Sequence, residues 1–360
     1  MASSTAYAKR TIRDVPGTPP NYADYPLLRY MGSKHRLLEW IDESSLDLKF
    51  NSALDAFSGS GAVSYLLKTR RKRVISNDFL HFSHILSKAT IENSHQQLNL
   101  DDVQSVIAPA RNFPKFIQRT FKDIFFTADD LEFLDLASHN LKGLRNPHKR
   151  ALALASLIRA CVKKQPRGVF TITSNTDKYN DGRRDLRLSI KEHFLEQVAL
   201  FNSIVFDNGK LNRSFNCDVF NPLLKSSKPD LVYMDPPYVP RADDNCYMKR
   251  YHFLEGLSLY WEGCEIMPSS KVKKIKKPYT PFSYKRTAIE AFENMFRTFA
   301  DSILVLSYSS NGFPDLKILS KMMKKYKKTV VVHKREHRYH FGTHANVNRS
   351  VVNEYLIIGT

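Results

Sequence analysis

Apolar and polar positions fall into two regimes along this chain. Between residues 53 and 80, and again from about residue 213, short apolar runs of strand length end in an acid, a glycine or a polar turn. Between about 81 and 205 the apolar residues recur at helical spacing instead. The segments are HFSHILSKATIENSH, LDDVQSVI, DDLEFLDLASHNLKGL, HKRALALASLIRACVKK and LSIKEHFLEQVALFNSIV. A polar, basic, turn-rich stretch, QPRGVFTITSNTDKYNDGRRD, separates the last two.

The first regime opens with YADYPLLRYMGSKHRLLEWI, a turn that enters a helix near Lys34. Ala53 to Phe57 reads as a strand, Ser58 to Gly61 as a tight turn, and Ala62 to Lys68 as a helix. RVISNDF then gives a second strand that ends in Asp78. Strand, glycine turn, helix and acid-tipped strand make a βαβ unit. Strands return as RSFNCDVF, DLVYMDPPY, SILVLSYSS, KTVVVH and NEYLIIG. The closing pair, joined by KREHRYHFGTHANVNRS, reads as an antiparallel excursion at one sheet edge. The prediction is an α/β fold, a Rossmann-like sheet of seven strands, mostly parallel, with a helical insertion. Residues 21–80 and 213–360 then form the sheet domain, 81–212 the insertion, and 1–20 a mobile arm.

Charge sharpens the picture. Lys and Arg number 55 against 36 Asp and Glu, a net charge of +19. A polyanionic partner, nucleic acid above all, is the natural inference. Arg183 and Arg184 in the polar stretch, and Lys271, Lys273 and Lys274 in KVKKIKKP, are the candidate DNA contacts, although a basic run also reads as a solvated loop. The opening residues carry no apolar core of a secretory signal, and no run of 18 apolar residues suggests a membrane span. Cys161, Cys217, Cys246 and Cys264 form no CxxC pair and read as thiols in a reducing, cytoplasmic setting. The histidines of HRYHFGTH lack the carboxylate or cysteine spacing of a metal site, so no metal is expected.

The glycine turn FSGSG, at Phe57, Ser58, Gly59, Ser60 and Gly61, sits where open α/β sheets bind ligands. Its spacing is neither GxGxxG nor GxxxxGK[ST], which disfavours a nicotinamide cofactor and a nucleoside triphosphate. Four acids, Asp55, Asp78, Asp218 and Asp235, end four strands and converge on one rim. Carboxylates repel one another, so the rim calls for a ligand with positive charge and donors. S-adenosylmethionine, with its sulfonium, ammonium, ribose hydroxyls and adenine amine, fits. Asp78 is placed for the ribose.

LVYMDPPYVP carries the chemistry. Asp235 ends an apolar strand, and Pro236 and Pro237 fix φ and lack N–H donors. A rigid turn of this kind presents a carboxylate and a carbonyl as two fixed acceptors, which is what an exocyclic amine needs. Accepting both hydrogens polarises that nitrogen for in-line methyl transfer. Tyr238 offers a π-face to an extruded base. SYSSNG, at 307–312, reads either as a border of that base or as a turn.

RYMGSK, FSGSG and DPPY, in that order, resemble the adenine-N6 DNA methyltransferases of the D12, Dam-like class. The resemblance implies that Tyr30 and Lys34 contact S-adenosylmethionine and that Phe57 to Gly61 wrap its methionine part. It further implies that Asp78 binds the ribose, Asp218 and Val219 border the adenine, and Asp235 to Tyr238 are catalytic. The insertion would read double-stranded DNA, and a cognate restriction endonuclease is an implied partner in a prokaryotic or phage-infected cell. The alternatives are a cytosine-N4 or RNA adenine methyltransferase, or a non-catalytic DNA-binding subunit.

Overall fold

The computed structural model describes residues 20–166, 168–171, 182–237, 239–240, 247–338 and 351–360. The strands are β1 (Ser52–Asp55), β2 (Arg73–Asn77), β3 (Arg213–Phe215), β4 (Leu231–Met234), β5 (Val239–Pro240), β6 (Ile303–Ser309), β7 (Gly312–Phe313), β8 (Val330–Arg338) and β9 (Val351–Gly359). Seven form one sheet in the order β3-β2-β1-β4-β6-β9-β8. All pairings are parallel from β3 to β6; β9 is antiparallel to both neighbours, as the closing pair of apolar runs predicted. The chain order reverses between β1 and β4, so a topological switch point lies there. Both of those strands are buried along their whole length, because helices cover both sheet faces and no polar alternation is needed.

One face, with Ala53, Val74, Leu231, Tyr233, Val305, Leu356 and Ile358, shares a hydrophobic cluster with the helices of residues 81–203. The other face, with Leu54, Ile75, Val232, Met234, Leu306 and Ile357, packs on Phe292, Phe296, Leu319 and Met323. Helix Pro147–Lys164 is central to the first cluster. Its run ALALASLI is apolar all round because the helix is enclosed on every side. Asn146 caps its start with Pro147 in the first turn, and Ser189 with Glu192 closes a capping box on helix Ile190–Ser203.

Three expectations shift in detail. The run RSFNCDVF pairs only over Arg213–Phe215. Asn216 then donates to the carbonyls of Asp78 and Phe79, which turns the chain away and leaves Asp218 three residues past the strand. Lys34 opens a short 3-10 turn, Lys34–Leu37, before the α-helix Leu38–Glu43. Finally, β5 and β7 form a two-residue antiparallel ribbon, so the turn after β6 pairs with the chain just past DPPY.

Candidate active site

The glycine turn is closed tightly on its own protein. Gly61 holds φ at +83° as the N-cap of helix Ala62–Thr69. The Tyr25 hydroxyl donates to the Ser60 carbonyl at 2.8 Å, and a Cβ on Gly61 would lie 2.5 Å from that hydroxyl. No other residue fits there. The Gly59 N–H donates to Asp78 Oδ2 at 2.7 Å, and the Leu80 N–H donates to Asp78 Oδ1 at 2.8 Å. Asp78 therefore braces the turn from the tip of β2. Each of its oxygens keeps a lone pair for a further donor. Burial pushes the Asp78 carboxyl up to about 6 despite these bonds.

Asp55 ends β1 directly behind the turn. Ser64 Oγ donates to its Oδ2 at 2.7 Å, while buried Oδ1 has no hydrogen-bond partner. Burial, countered by Ser64 and reinforced by the charges of Asp235 and Asp78, pushes Asp55 up to about 7. Asp218 is exposed, and its Oδ1 accepts the Phe220 N–H at 2.8 Å.

Asp235 follows β4 at the switch point. Lys34 Nζ lies 2.7 Å from Asp235 Oδ2, with the lysine side chain 4% and the aspartate 18% exposed. Lys34 also donates to the Gly32 carbonyl at 3.0 Å. Burial alone would pull the ammonium down. The carboxylate of Asp235, aided by Glu354 and Tyr233, outweighs it, so the Lys34 pKa is raised. At Asp235, burial raises the carboxyl and Lys34 pulls it back. Beside the pair, Tyr30 stacks on Tyr251 at 5.1 Å and tilts against Tyr247 at 5.4 Å. The Met31 N–H donates to the Tyr251 hydroxyl at 2.6 Å, which fixes the loop that carries Lys34.

Tyr30, Lys34, Asp55, Phe57, Ser58, Gly59, Asp78, Asp218, Val219, Asp235 and Pro237 all line one cleft. Gly61 lies behind the lining as the helix cap, Pro236 is buried, and Tyr238 is outside the described residues. The four acids named from strand ends thus meet on a single rim. None of the candidate DNA contacts lines the cleft: Arg184 pairs with Glu196, and Arg183 donates to the Pro166 carbonyl at 3.1 Å. Lys271 is exposed, and Lys273 and Lys274 are half-buried.

Sequence reasoning missed Phe79, Tyr247, Lys277 and Phe282 in the lining, and Glu354 beside the Lys34–Asp235 pair. Glu354 is fully buried on β9, in phase with buried Val352, Leu356 and Ile358. That alternation was readable and would have placed the acid on the core face. Phe79 directly follows Asp78 in RVISNDF and Lys277 lies within KVKKIKKP, so both neighboured residues already singled out, whereas Tyr247 and Phe282 come from segments at no fixed distance from any motif. Among the described residues no group of three or more His, Cys, Asp or Glu gathers as a metal site, and no helix is long and apolar enough to cross a membrane. Most of the HRYHFGTH histidines, and Cys246, are outside the described residues.

Comparison with known proteins agrees with the motifs. The model of the D12 class N6 adenine-specific DNA methyltransferase family matches residues 30–307, from inside RYMGSK into β6. The type II methyltransferase M2.HphI of Haemophilus parahaemolyticus is 31% identical over 334 residues, covering 89% of this chain and 94% of that protein. Modification methylase StsI of Streptococcus sanguinis is 25% identical over 325 residues, 83% of this chain and 46% of its own length. The type II methyltransferase M.FokI of Planomicrobium okeanokoites is 26% identical over 309 residues, 79% of this chain and 45% of its own length. The chain spans about half of each of these last two proteins. By the extent of the family match and by this similarity, the chain belongs to the D12 class of N6 adenine-specific DNA methyltransferases.

Proposed function

We propose that the chain transfers a methyl group from S-adenosylmethionine to N6 of adenine in double-stranded DNA, with Asp235 acting on the target amine. The observation that carries this is the ion pair of Lys34 and Asp235 at the switch point, 2.7 Å apart, in the cleft that the glycine turn floors. The residues fit the cofactor. A rim of carboxylates with one orphaned buried oxygen, Asp55 Oδ1, suits a ligand that brings positive charge and donors. When bound, the cofactor supplies an electrophilic methyl group.

The chain's own part is binding and orientation. Asp78 and Asp218 hold hydroxyl and amine donors, and Val219 and Phe57 supply apolar walls. Asp235 accepts from the exocyclic amine and draws its lone pair out of conjugation with the ring. Lys34 keeps the Asp235 carboxylate ionised and aimed against the cost of burial. Pro236 and Pro237 stiffen the turn that presents it, and Tyr238 is the proposed stacking residue for the base. Residues 81–212 read the target sequence, and Arg183, Arg184, Lys271, Lys273 and Lys274 contact the duplex. The type II relatives support a setting beside a cognate restriction endonuclease.

The experiment is single-molecule sequencing of DNA from cells that express the chain, together with single-turnover transfer from tritiated cofactor. The expected result is N6-methyladenine in one sequence context, lost with Asp235→Ala. Methylcytosine, or an active Asp235→Ala protein, would overturn the assignment.

A further inference from the structure

The segment from residue 265 to residue 284 forms a strap at the mouth of the cleft. An antiparallel bridge between Ile266 and Ile275 clasps one end. The Met267 N–H donates to the Lys274 carbonyl at 2.7 Å, and the Lys276 N–H to the Glu265 carbonyl at 2.8 Å. Val272 and Ile275 are buried, so the run KVKKIKK is pinned by its two apolar residues rather than solvated throughout. Phe282 anchors the other end, edge-on to Phe57 at 5.4 Å and stacked with Phe220 at 6.0 Å.

Tyr279, between the anchors, and Tyr284, just past Phe282, stack on each other with centroids 5.5 Å apart and planes 14° from parallel. They nonetheless remain 59% and 39% exposed. Lys277 Nζ stands 5.0 Å from the Tyr284 centroid, and Lys277 also lines the cleft. Large rings are usually buried, and a pre-stacked pair left in solvent beside a cation is an interface signature. The cation and the +19 chain charge select a polyanion with planar groups over an apolar protein partner. Base–aromatic stacking tolerates any base, because every base has a π-face.

We propose that Tyr279 and Tyr284, with Lys277, form a stacking platform for a nucleobase of the substrate DNA that loses its neighbour when the target leaves the helix, Lys277 holding the adjoining phosphate. This deepens, and rests on, the DNA-methylation reading above. Phosphate contacts position the strand while the rings compensate the unstacking.

The test uses the full chain and a duplex that the wild-type protein methylates. Binding of that duplex is measured by fluorescence anisotropy, S-adenosylmethionine binding by calorimetry, and stability by thermal unfolding. The double variant Tyr279→Ala/Tyr284→Ala is expected to bind the duplex about tenfold more weakly. Its cofactor affinity and unfolding temperature should stay at wild-type values, and Tyr279→Phe/Tyr284→Phe should restore DNA binding. Unchanged DNA affinity in the alanine variant overturns the platform. So does a loss of cofactor affinity or of stability that tracks the loss of DNA binding, since the rings would then act by packing the strap. A wild-type protein that methylates no duplex sinks the functional reading itself, whereas an active wild type with an indifferent alanine variant sinks the platform alone.

Discussion

Lys34 and Asp235 are 201 positions apart in sequence, yet their charged atoms lie 2.7 Å apart at the carboxyl end of the sheet. The lysine side chain is almost wholly buried. Neither charge is tolerable there without the other. Removing one partner of a buried pair typically costs about 3–5 kcal/mol, most of it from the charge left behind. Lys34→Met should therefore slow methyl transfer by roughly a hundredfold or more, approaching Asp235→Ala. If Lys34 acts through Asp235, the double variant is no slower than Asp235→Ala alone. Single-turnover rates for the three variants check this. Fully additive losses would show that Lys34 acts on the cofactor independently.

Asp55 couples stability to function with opposite signs. Its carboxyl, ordinarily near 3.8, is pushed to about 7. The folded protein therefore holds a proton there that the unfolded chain has lost. The stability this contributes is full below pH 3.8 and is lost as pH rises through about 7. Asp55→Asn removes the ionisation. The variant should be more stable than wild type at pH 8, by about 1–4 kcal/mol, with the difference narrowing as pH falls and closing only below about pH 4. Its affinity for S-adenosylmethionine should fall, because the cation loses a counter-charge. Thermal unfolding of both proteins across this pH range, with calorimetry at pH 8, reads both effects. A stability difference independent of pH would assign Asp55 an ordinary packing role.

Asp78 carries two loads. Its carboxylate holds Gly59 and Leu80 through their backbone N–H groups, and the cofactor's ribose is its proposed further partner. Asp78→Ala leaves both N–H groups unmet, at about 1–3 kcal/mol each where they are buried. The variant should lose both unfolding temperature and at least about tenfold in cofactor affinity. Asp78→Asn, which keeps one acceptor oxygen, should recover part of each. Calorimetry and thermal unfolding on the apo proteins decide. An unchanged cofactor affinity would remove Asp78 from the site.

The sheet was legible wherever burial is complete. β1, β2 and β4 are short apolar runs tipped by acids, and the register places Asp55 opposite Tyr233, two residues before Asp235. That is why Asp55, Asp78 and Asp235 met in one cleft, which Asp218 joins from three residues past β3. The β5–β7 ribbon was illegible, because two residues with Pro240 at one end carry no periodicity. The stack of Tyr30 on Tyr251 was equally hidden, since no local pattern ties positions separated by more than 200 residues. Asp218 was misread as a strand tip because CDVF is apolar enough for a strand. What ends β3 is a side-chain bond, from Asn216 to the Asp78 and Phe79 carbonyls, that sequence pattern does not encode.

The basic residues should separate by what already occupies them. Arg184 is paired with Glu196, and Arg183 donates to the Pro166 carbonyl, whereas Lys271 stands exposed on the strap. A lysine that neutralises a phosphate releases condensed counterions, so each lost contact lowers the log–log salt slope of DNA binding by about 0.9. With about six phosphates met, the wild-type slope should be about −5. Lys271→Gln and Lys273→Gln should each flatten it by about one and weaken all duplexes alike. Arg184→Gln first loses an internal ion pair, so its slope should change less. Any effect it has should depend on sequence if the insertion reads bases. Anisotropy titrations from 50 to 200 mM salt, on a methylated-site duplex and a scrambled one, measure both quantities. A wild-type slope near zero would remove the electrostatic basis for DNA binding. Equal flattening by Arg184→Gln and Lys271→Gln would mean that the Glu196 pair opens freely when DNA arrives.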